Sequence, residues 1–215
     1  MIFELSEELK FPDPKLGEDY GLLAIGGDLS PDRLLLAYSH GIFPWFAYKR
    51  KLIEWWCPMD RFVIFPKEIH VSHSMRSLLN KNTFGISINQ AFPQVIQQCS
   101  IGTDNRIEQD GAWLGPAMIE AYTELHRRQF AMSVEVWQEK ELVGGLYGVT
   151  VGRMFCGESM FSLVPSASKV ALISLARILS HQDQDFLIDC QFETSHLLSM
   201  GGRHISYDQY MTYLQ

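Results

Sequence analysis

Residues 141–191 constrain the fold more than any other stretch of this chain. They open with ELVGGLYGVTVGRMFCGESMFS, pass through SASKVALISLARILS and close on DFLIDCQ. The first run is rich in Val, Phe, Tyr and Met and is broken by Gly144, Gly145, Gly148, Gly152 and Gly157. Such runs predict strands joined by tight turns. The second run places Val170, Ile173, Leu175, Ile178 and Leu179 on one broad helical face. Ser166 or Ser168 is expected to cap its start by accepting backbone N–H bonds. The third run, Phe186 to Ile188, is a short apolar strand that ends in Asp189. Strand, helix and strand make a βαβ unit, which predicts a parallel pair in one sheet.

The polar groups of this stretch fall at strand ends. Glu158 is expected to end one apolar strand, and Asp189 and Gln191 to end another. Ligand sites in such sheets gather at the carboxyl ends of strands. Buried carboxylates are rare unless paired, so Asp189 alone reads equally well as a structural group or a site group. Two carboxylates and an amide at neighbouring strand ends tip the reading toward a site.

Length and charge bound the rest. A chain of 215 residues is one large domain, or a small one joined to a medium one. Hydrophobic residues make up 47%, enough for a substantial core. A net charge of −7 argues against nonspecific coating of nucleic acid, which rests on many phosphate contacts. No apolar run is long enough to span a membrane. The start, MIFELSEELKFP, lacks the basic head and apolar core of a signal peptide. Cys57, Cys99, Cys156 and Cys190 form no C-x-x-C pair, which suits buried thiols in a reduced, cytosolic setting.

In chain order, GLLAIGGDLSPDRLLLAYSHGIFPWF contains a turn at Gly26-Gly27-Asp28. Ser30 reads as an N-cap with Pro31 first in the helix, and Gly41 as its stop. The GGD turn is a weak phosphate loop, because no P-loop lysine follows. Lys49, Arg50 and Lys51 precede Trp55 and Trp56, and strand neighbours point to opposite faces. One indole can therefore sit in the core with the other presented elsewhere, where bases beside an aromatic suit a single-stranded nucleic-acid end, although a core role for both is the plainer and usually the better reading. Residues 70–130 read as helices around a short strand, with Ser72 or Ser74 as a cap. His70 and His73 have metal-like spacing but no third ligand nearby, so a solvated helix start is expected. Trp113 sits in a glycine-flanked loop and reads either as a packing plug or as a stacking platform. From Ala131 the chain is strand-rich, and Glu135, inside an apolar alternation, is expected to face solvent.

These residues resemble a known family. GLLAIGGDLSPDRLLLAYSHGIFPWF, EWWCPMDR, SVEVW, LVGGLYGV, FCGESMFS, ASK, IDCQ and SHLLSMGG match, in order, the pattern of bacterial leucyl/phenylalanyl-tRNA–protein transferases. The resemblance covers nearly the whole chain, and GESMFS, ASK and DCQ together are its most specific part. Met132, Ala112 with Leu114, and Ser166 stand where the family usually has other residues. The resemblance implies an α+β fold: a small N-terminal α/β domain over residues 1–70, then an acyl-CoA N-acetyltransferase-like domain over 71–215. It implies movement of Leu, Phe or Met from aminoacyl-tRNA to the N-terminal Arg or Lys of a protein. That mark is read by the N-end-rule degradation machinery. No cofactor, metal or membrane partner is implied, and a monomer is expected.

The implied reaction is aminolysis of an ester. An α-amino group has a pKa of about 8, so a useful fraction is neutral near pH 7. Holding amine and ester together supplies much of the rate. In this reading Asp189 orients Gln191, Gln191 bonds the attacking amine, and Glu158 helps hold substrate amino or guanidino groups. Phe155, Met160, Ser168, Leu172, Leu175 and Ile188 line the aminoacyl pocket, where Met adapts to Leu and Phe shapes. Trp56 and Trp113 sandwich the terminal adenine. An acyl-CoA acetyltransferase is the first rival. Its pyrophosphate needs a glycine-rich turn at a helix start, and here the turn reads SLVPSASK. A non-catalytic module for tRNA ends is the second.

Overall fold

The computed structural model describes residues 1–47, 52–101 and 114–215, and its strands form two sheets. The first sheet is built from β1 (Phe3–Leu5), β2 (Leu22–Gly26), β3 (Phe43–Ala47) and β4 (Leu52–Trp56), in the order β1-β2-β4-β3. Helix α1 (Pro31–Ser39) connects β2 to β3. It begins as the sequence predicts: Ser30 Oγ accepts from the Arg33 N–H at 3.4 Å, and Pro31 is the first helical residue. Gly41 ends it at φ +74°, a conformation open to glycine. A side chain there would also meet the Tyr210 ring at 2.9 Å. Trp55 and Trp56 diverge as neighbours in a strand must. Trp55 is fully buried and donates to the Gly26 carbonyl at 2.9 Å, whereas Trp56 is half-buried on the other face.

The second sheet takes β5 (Asp60–Ile64), β6 (Gly85–Ile88), β7 (Ala131–Gln138), β8 (Glu141–Val151), β9 (Met154–Ser162), β10 (Leu187–Asp189) and β11 (Arg203–Ser206). Their order is β11-β5-β10-β9-β8-β7-β6. Asp60–Ile64, grouped with the first domain on sequence grounds, hydrogen-bonds between β10 and β11 in this second sheet. Helices α2 (His73–Asn80), α3 (Phe92–Ser100), α4 (Pro116–Arg127), α5 (Ala167–Ser180), α6 (Ser195–Ser199) and α7 (Tyr207–Met211) pack around it.

The βαβ unit is present: β9 and β10 are parallel, joined by α5, with Leu187–Asp189 opposite Met154–Cys156. Helix α5 is buried on more than one face, which explains its density of Leu, Ile, Val and Ala. It approaches β8 so closely that a Cβ on Gly144 would lie 2.5 Å from that of Ala167. Its start differs from expectation. Neither the Ser166 nor the Ser168 side chain caps it; Ser162 Oγ, at the end of β9, accepts from the Ser168 N–H at 3.2 Å.

Two other expectations are corrected. Glu135 faces inward and is fully buried. Ser87 Oγ donates to it at 2.5 Å, Ser133 Oγ donates as well, and the Ala91 N–H donates at 3.4 Å. Its carboxylate thus sits at the start of α3, a helix end with no side-chain cap of its own and a partial positive charge. Glu158 lies inside β9 instead of at its end. The β8–β9 register passes from Tyr147↔Ser159 to Gly148↔Gly157, so Glu158 is the unpaired residue of a bulge. No helix is long and apolar enough to cross a membrane among the described residues.

Candidate active site

Asp189 closes β10, flanked by β9 and β5, and is 1% exposed. Arg61 on β5, equally buried, donates to its Oδ2 at 3.0 Å, and the Tyr210 hydroxyl donates to the same oxygen at 2.8 Å. The Gln191 N–H donates to Oδ1 at 2.9 Å. Arg61 also donates to the Gly41 carbonyl, and its guanidinium lies over the rings of Tyr210 and Phe43, 4.5 and 5.1 Å from their centroids. Burial, the largest single effect, would lower the Arg61 pKa; Asp189, Tyr210, Cys57 and Cys156 together more than offset it and hold the guanidinium charged. A buried ion pair survives only when such extra bonds satisfy it.

The Asp189 carboxylate thus accepts three hydrogen bonds, and the one accepted at Oδ1 closes a turn on Gln191. Gln191 is thereby held at φ +57°, a left-handed conformation that costs a non-glycine residue roughly 1–2 kcal/mol. Backbone strain of this kind gathers at functional sites. The Gln191 side-chain amide makes no hydrogen bond among the described residues. The structure therefore brings Asp189 and Gln191 together through backbone.

Glu158 meets two tyrosines from other elements. Tyr38 of α1 lies 2.7 Å from Oε1, Tyr122 of α4 lies 2.8 Å from Oε2, and the two hydroxyls are 2.7 Å apart. Burial pushes the Glu158 pKa up to about 7, against the lowering effect of the two hydroxyls. Asp189 raises it further, and Arg61 partly cancels that. Burial likewise raises Tyr38 and Tyr122 well above the usual phenol value, so both remain protonated.

The apolar residues also converge. Phe155, Leu172, Leu175 and Ile188 belong to one buried cluster, with Met160 partly exposed against it. Ile188 is the strand partner of Phe155, and a Cβ on Gly148 would lie 2.5 Å from the Phe155 ring. Ser168 is half-buried in the first turn of α5. Leu175 is fully enclosed, so the floor of this cluster is shut in the structure. A surface hollow of about 520 Å³, lined by Leu29, Pro31, Ala117, Ala121, Thr123 and Glu124, lies elsewhere and touches none of these groups.

Trp56 packs against Tyr20 and Phe192 at ring distances of 5.9 and 6.1 Å, and its Nε1 donates to Glu54 at 3.3 Å. Phe192, 40% exposed, also meets Phe43 at 5.7 Å and follows Gln191 directly. Trp45 is 38% exposed and shares the Trp56 face, because Phe43 pairs with Trp56 and Trp45 with Glu54. Trp113 and the basic run Lys49 to Lys51 lie outside the described residues. Sequence reasoning missed Arg61, Tyr210, Tyr38 and Tyr122. Arg61 stood in a quoted motif, EWWCPMDR, as an unexplained charge; nothing in spacing marked the tyrosines.

Comparison with known proteins gives the family. Residues 63–215 match the Leucyl/phenylalanyl-tRNA protein transferase family, and residues 27–59 match its N-terminal domain. A leucyl/phenylalanyl-tRNA–protein transferase of Syntrophobacter fumaroxidans (strain DSM 10017 / MPOB) is 50% identical over 213 residues, covering 99% of this chain and 89% of its own. One from Nitrosomonas eutropha (strain DSM 101675 / C91 / Nm57) is 52% identical over 207 residues, covering 95% and 86%. One from Flavobacterium psychrophilum (strain ATCC 49511 / DSM 21280 / CIP 103535 / JIP02/86) is 50% identical over 211 residues, covering 98% of each chain. Identity of this depth along nearly the full length places the chain in the leucyl/phenylalanyl-tRNA–protein transferase family.

Proposed function

We propose that this protein moves Leu, Phe or Met from aminoacyl-tRNA to the N-terminal Arg or Lys of acceptor proteins, marking them for N-end-rule degradation. The protein acts as a cytoplasmic monomer without a cofactor. The observation that carries the reading is Gln191: strained, anchored by Asp189, and presenting a side-chain amide with no hydrogen bond among the described residues. Gln191 bonds the attacking amine. Asp189 fixes the turn that aims it, with its charge balanced by Arg61. The Leu or Phe side chain enters the cluster of Phe155, Met160, Leu172, Leu175 and Ile188 beside Ser168, and entry requires that cluster to open. Trp56 and Trp113 hold the terminal adenine. Hydrophobic pockets discriminate by only about 1–3 kcal/mol per methylene, which suits a donor range of Leu, Phe and Met.

The division into an N-terminal unit and an N-acetyltransferase-like unit belongs to the same proposal. Its support is the partial pairing of β9 with β10: only Met154–Cys156 are bonded, and β9 runs on to Ser162. The pairing thus stops two residues before Glu158, where β10 ends.

The test is transfer of labelled leucine from Leu-tRNA to a peptide beginning with Arg, beside one beginning with Met. Labelling of the Arg peptide alone is expected. Acetyl transfer from acetyl-CoA to either peptide, with no transfer from Leu-tRNA, would overturn the reading.

A further inference from the structure

The Tyr38, Tyr122 and Glu158 oxygens form a closed triangle of three short contacts at 2.7, 2.7 and 2.8 Å. A hydrogen bond needs one proton per contact. Each tyrosine supplies one phenolic proton. With Glu158 ionised, two protons serve three contacts, and two oxygens face each other at hydrogen-bond distance with nothing between them. With Glu158 protonated the count closes: Tyr38 donates to Tyr122, Tyr122 donates to Oε2, and the carboxyl O–H at Oε1 donates to Tyr38.

The surroundings agree with a neutral carboxyl. Tyr38 comes from α1, Tyr122 from α4 and Tyr147 from β8, and all three are buried phenols. The Tyr147 hydroxyl itself has no partner among the described residues. Among the described residues, the charges that face Glu158 are Asp189 of β10 and Arg61 of β5, which are bonded to each other and partly cancel. Cys156, another titratable neighbour among the described residues, is buried and held as a thiol.

We propose that Glu158 rests as a carboxylic acid in a three-membered hydroxyl ring and passes its proton to the ribose oxygen that leaves during aminoacyl transfer. This rests on the function proposed above and supplies the proton that the reaction needs. The amine nitrogen attacks the ester carbon, the C–N bond forms, and the bond from that carbon to the ribose oxygen breaks. The carboxyl proton goes to the ribose oxygen. One proton of the newly bonded nitrogen returns to the ring and restores the acid. Ester and amine become amide and alcohol, with no net proton gained or lost. Glu158 thus works as an acid, in contrast to a carboxylate that grips a cationic substrate.

Two measurements on the full-length protein test this. The first is difference infrared spectroscopy with carboxyl-labelled glutamate, wild type against Glu158→Gln. A carboxylic-acid carbonyl band present at pH 6 and lost by pH 8 is expected only in wild type. A band already gone at pH 6 would overturn the ring. The second is transfer from Leu-tRNA by Glu158→Gln, whose amide keeps a donor and an acceptor in the triangle but has no acidic proton to give. A fall in kcat of about a hundredfold or more is expected, with the KM for Leu-tRNA little changed. Wild-type kcat in this variant would overturn the proton-transfer role. If the unaltered protein moves no leucine, the function reading fails and the transfer step with it, while the infrared band still decides whether Glu158 holds the proton.

Discussion

The carbonyl of Gly41 accepts a hydrogen bond from the guanidinium of Arg61. The consequence reaches both carboxylates. Arg61 holds Asp189, and Tyr38, one turn earlier at the end of α1, contacts Glu158. The Tyr207 hydroxyl donates to the His40 carbonyl in the same turn at 3.2 Å. One helix end in the first unit therefore positions the two acidic groups carried by the second sheet.

Arg61→Met is expected to destabilise the fold by about 3–5 kcal/mol, because it leaves the Asp189 charge buried without its partner. Urea unfolding measures this. A loss below about 1 kcal/mol would mean that water reaches Asp189 and that the pair is not closed. The double variant Arg61→Met, Asp189→Asn should recover a large part of the loss in stability, since no buried charge is then left unpaired.

Asp189→Ala is expected to abolish most transfer and, by orphaning Arg61, to cost stability as well. Asp189→Asn also leaves Arg61 without its counter-charge but spares the turn. Its side-chain oxygen can still accept from the Gln191 N–H, so the turn is kept and aminoacyl-tRNA binding should survive. Binding measured by filter retention, beside single-turnover transfer, checks this. Equal loss of both in Asp189→Asn would remove the positioning role.

Leu175→Ala should cost about 2–5 kcal/mol, the usual range for truncating an enclosed leucine. If the cluster around Leu175 receives the aminoacyl side chain, the added space favours the larger donor. The ratio of Phe to Leu transfer should rise above the wild-type ratio, in a competition between the two charged tRNAs. An unchanged ratio in a folded variant would place the donor side chain elsewhere.

What the sequence disclosed divides along a physical line. Periodicity and turn residues are local, so the β9–α5–β10 unit, the Ser30 cap and the Gly41 stop were legible. Glu158, Asp189 and Gln191 were legible because polar groups in apolar strands are conspicuous. Their partners were not. Arg61 meets Asp189 across 128 positions, and Tyr38 meets Glu158 across 120. No periodicity links residues that far apart, and a tyrosine in an amphipathic helix reads as core. Glu135 failed for a related reason: alternation marks a face but does not reveal that β6 supplies Ser87 to bond it. The Ser166 and Ser168 caps failed because the acceptor, Ser162, belongs to the preceding strand.

Three thiols should be inert in the folded protein. Burial pushes Cys57 up to about 11 and raises Cys156 and Cys190 as well, with Asp189 adding to the rise in each. The thiolate is the reactive form, so alkylation at pH 8 should spare all three. Mass spectrometry of protein treated with iodoacetamide, native and unfolded, measures this. Rapid labelling of Cys190 in native protein would show that the Asp189–Gln191 turn opens.

The Glu158 ring also predicts how stability depends on pH. Its carboxyl titrates at about 7 in the fold, against an ordinary 4.5 in the unfolded chain. Between those values the folded state holds a proton that the unfolded state has lost. Stability must then fall as pH rises, since it rises only where the unfolded state binds more protons. The contribution of Glu158 is fully present below about pH 4.5 and is lost as pH passes through about 7. One pKa unit corresponds to about 1.4 kcal/mol, so the whole swing is on the order of 3 kcal/mol. Other groups titrate in the same window, which makes the absolute curve uninformative. The comparison is wild type against Glu158→Gln, which keeps the shape and lacks the titration. The difference in urea-unfolding free energy should shift against wild type as pH goes from 4.5 to 8, by a few kcal/mol. A difference that stays flat across that range would mean that Glu158 is ionised throughout, with two protons left to serve three contacts.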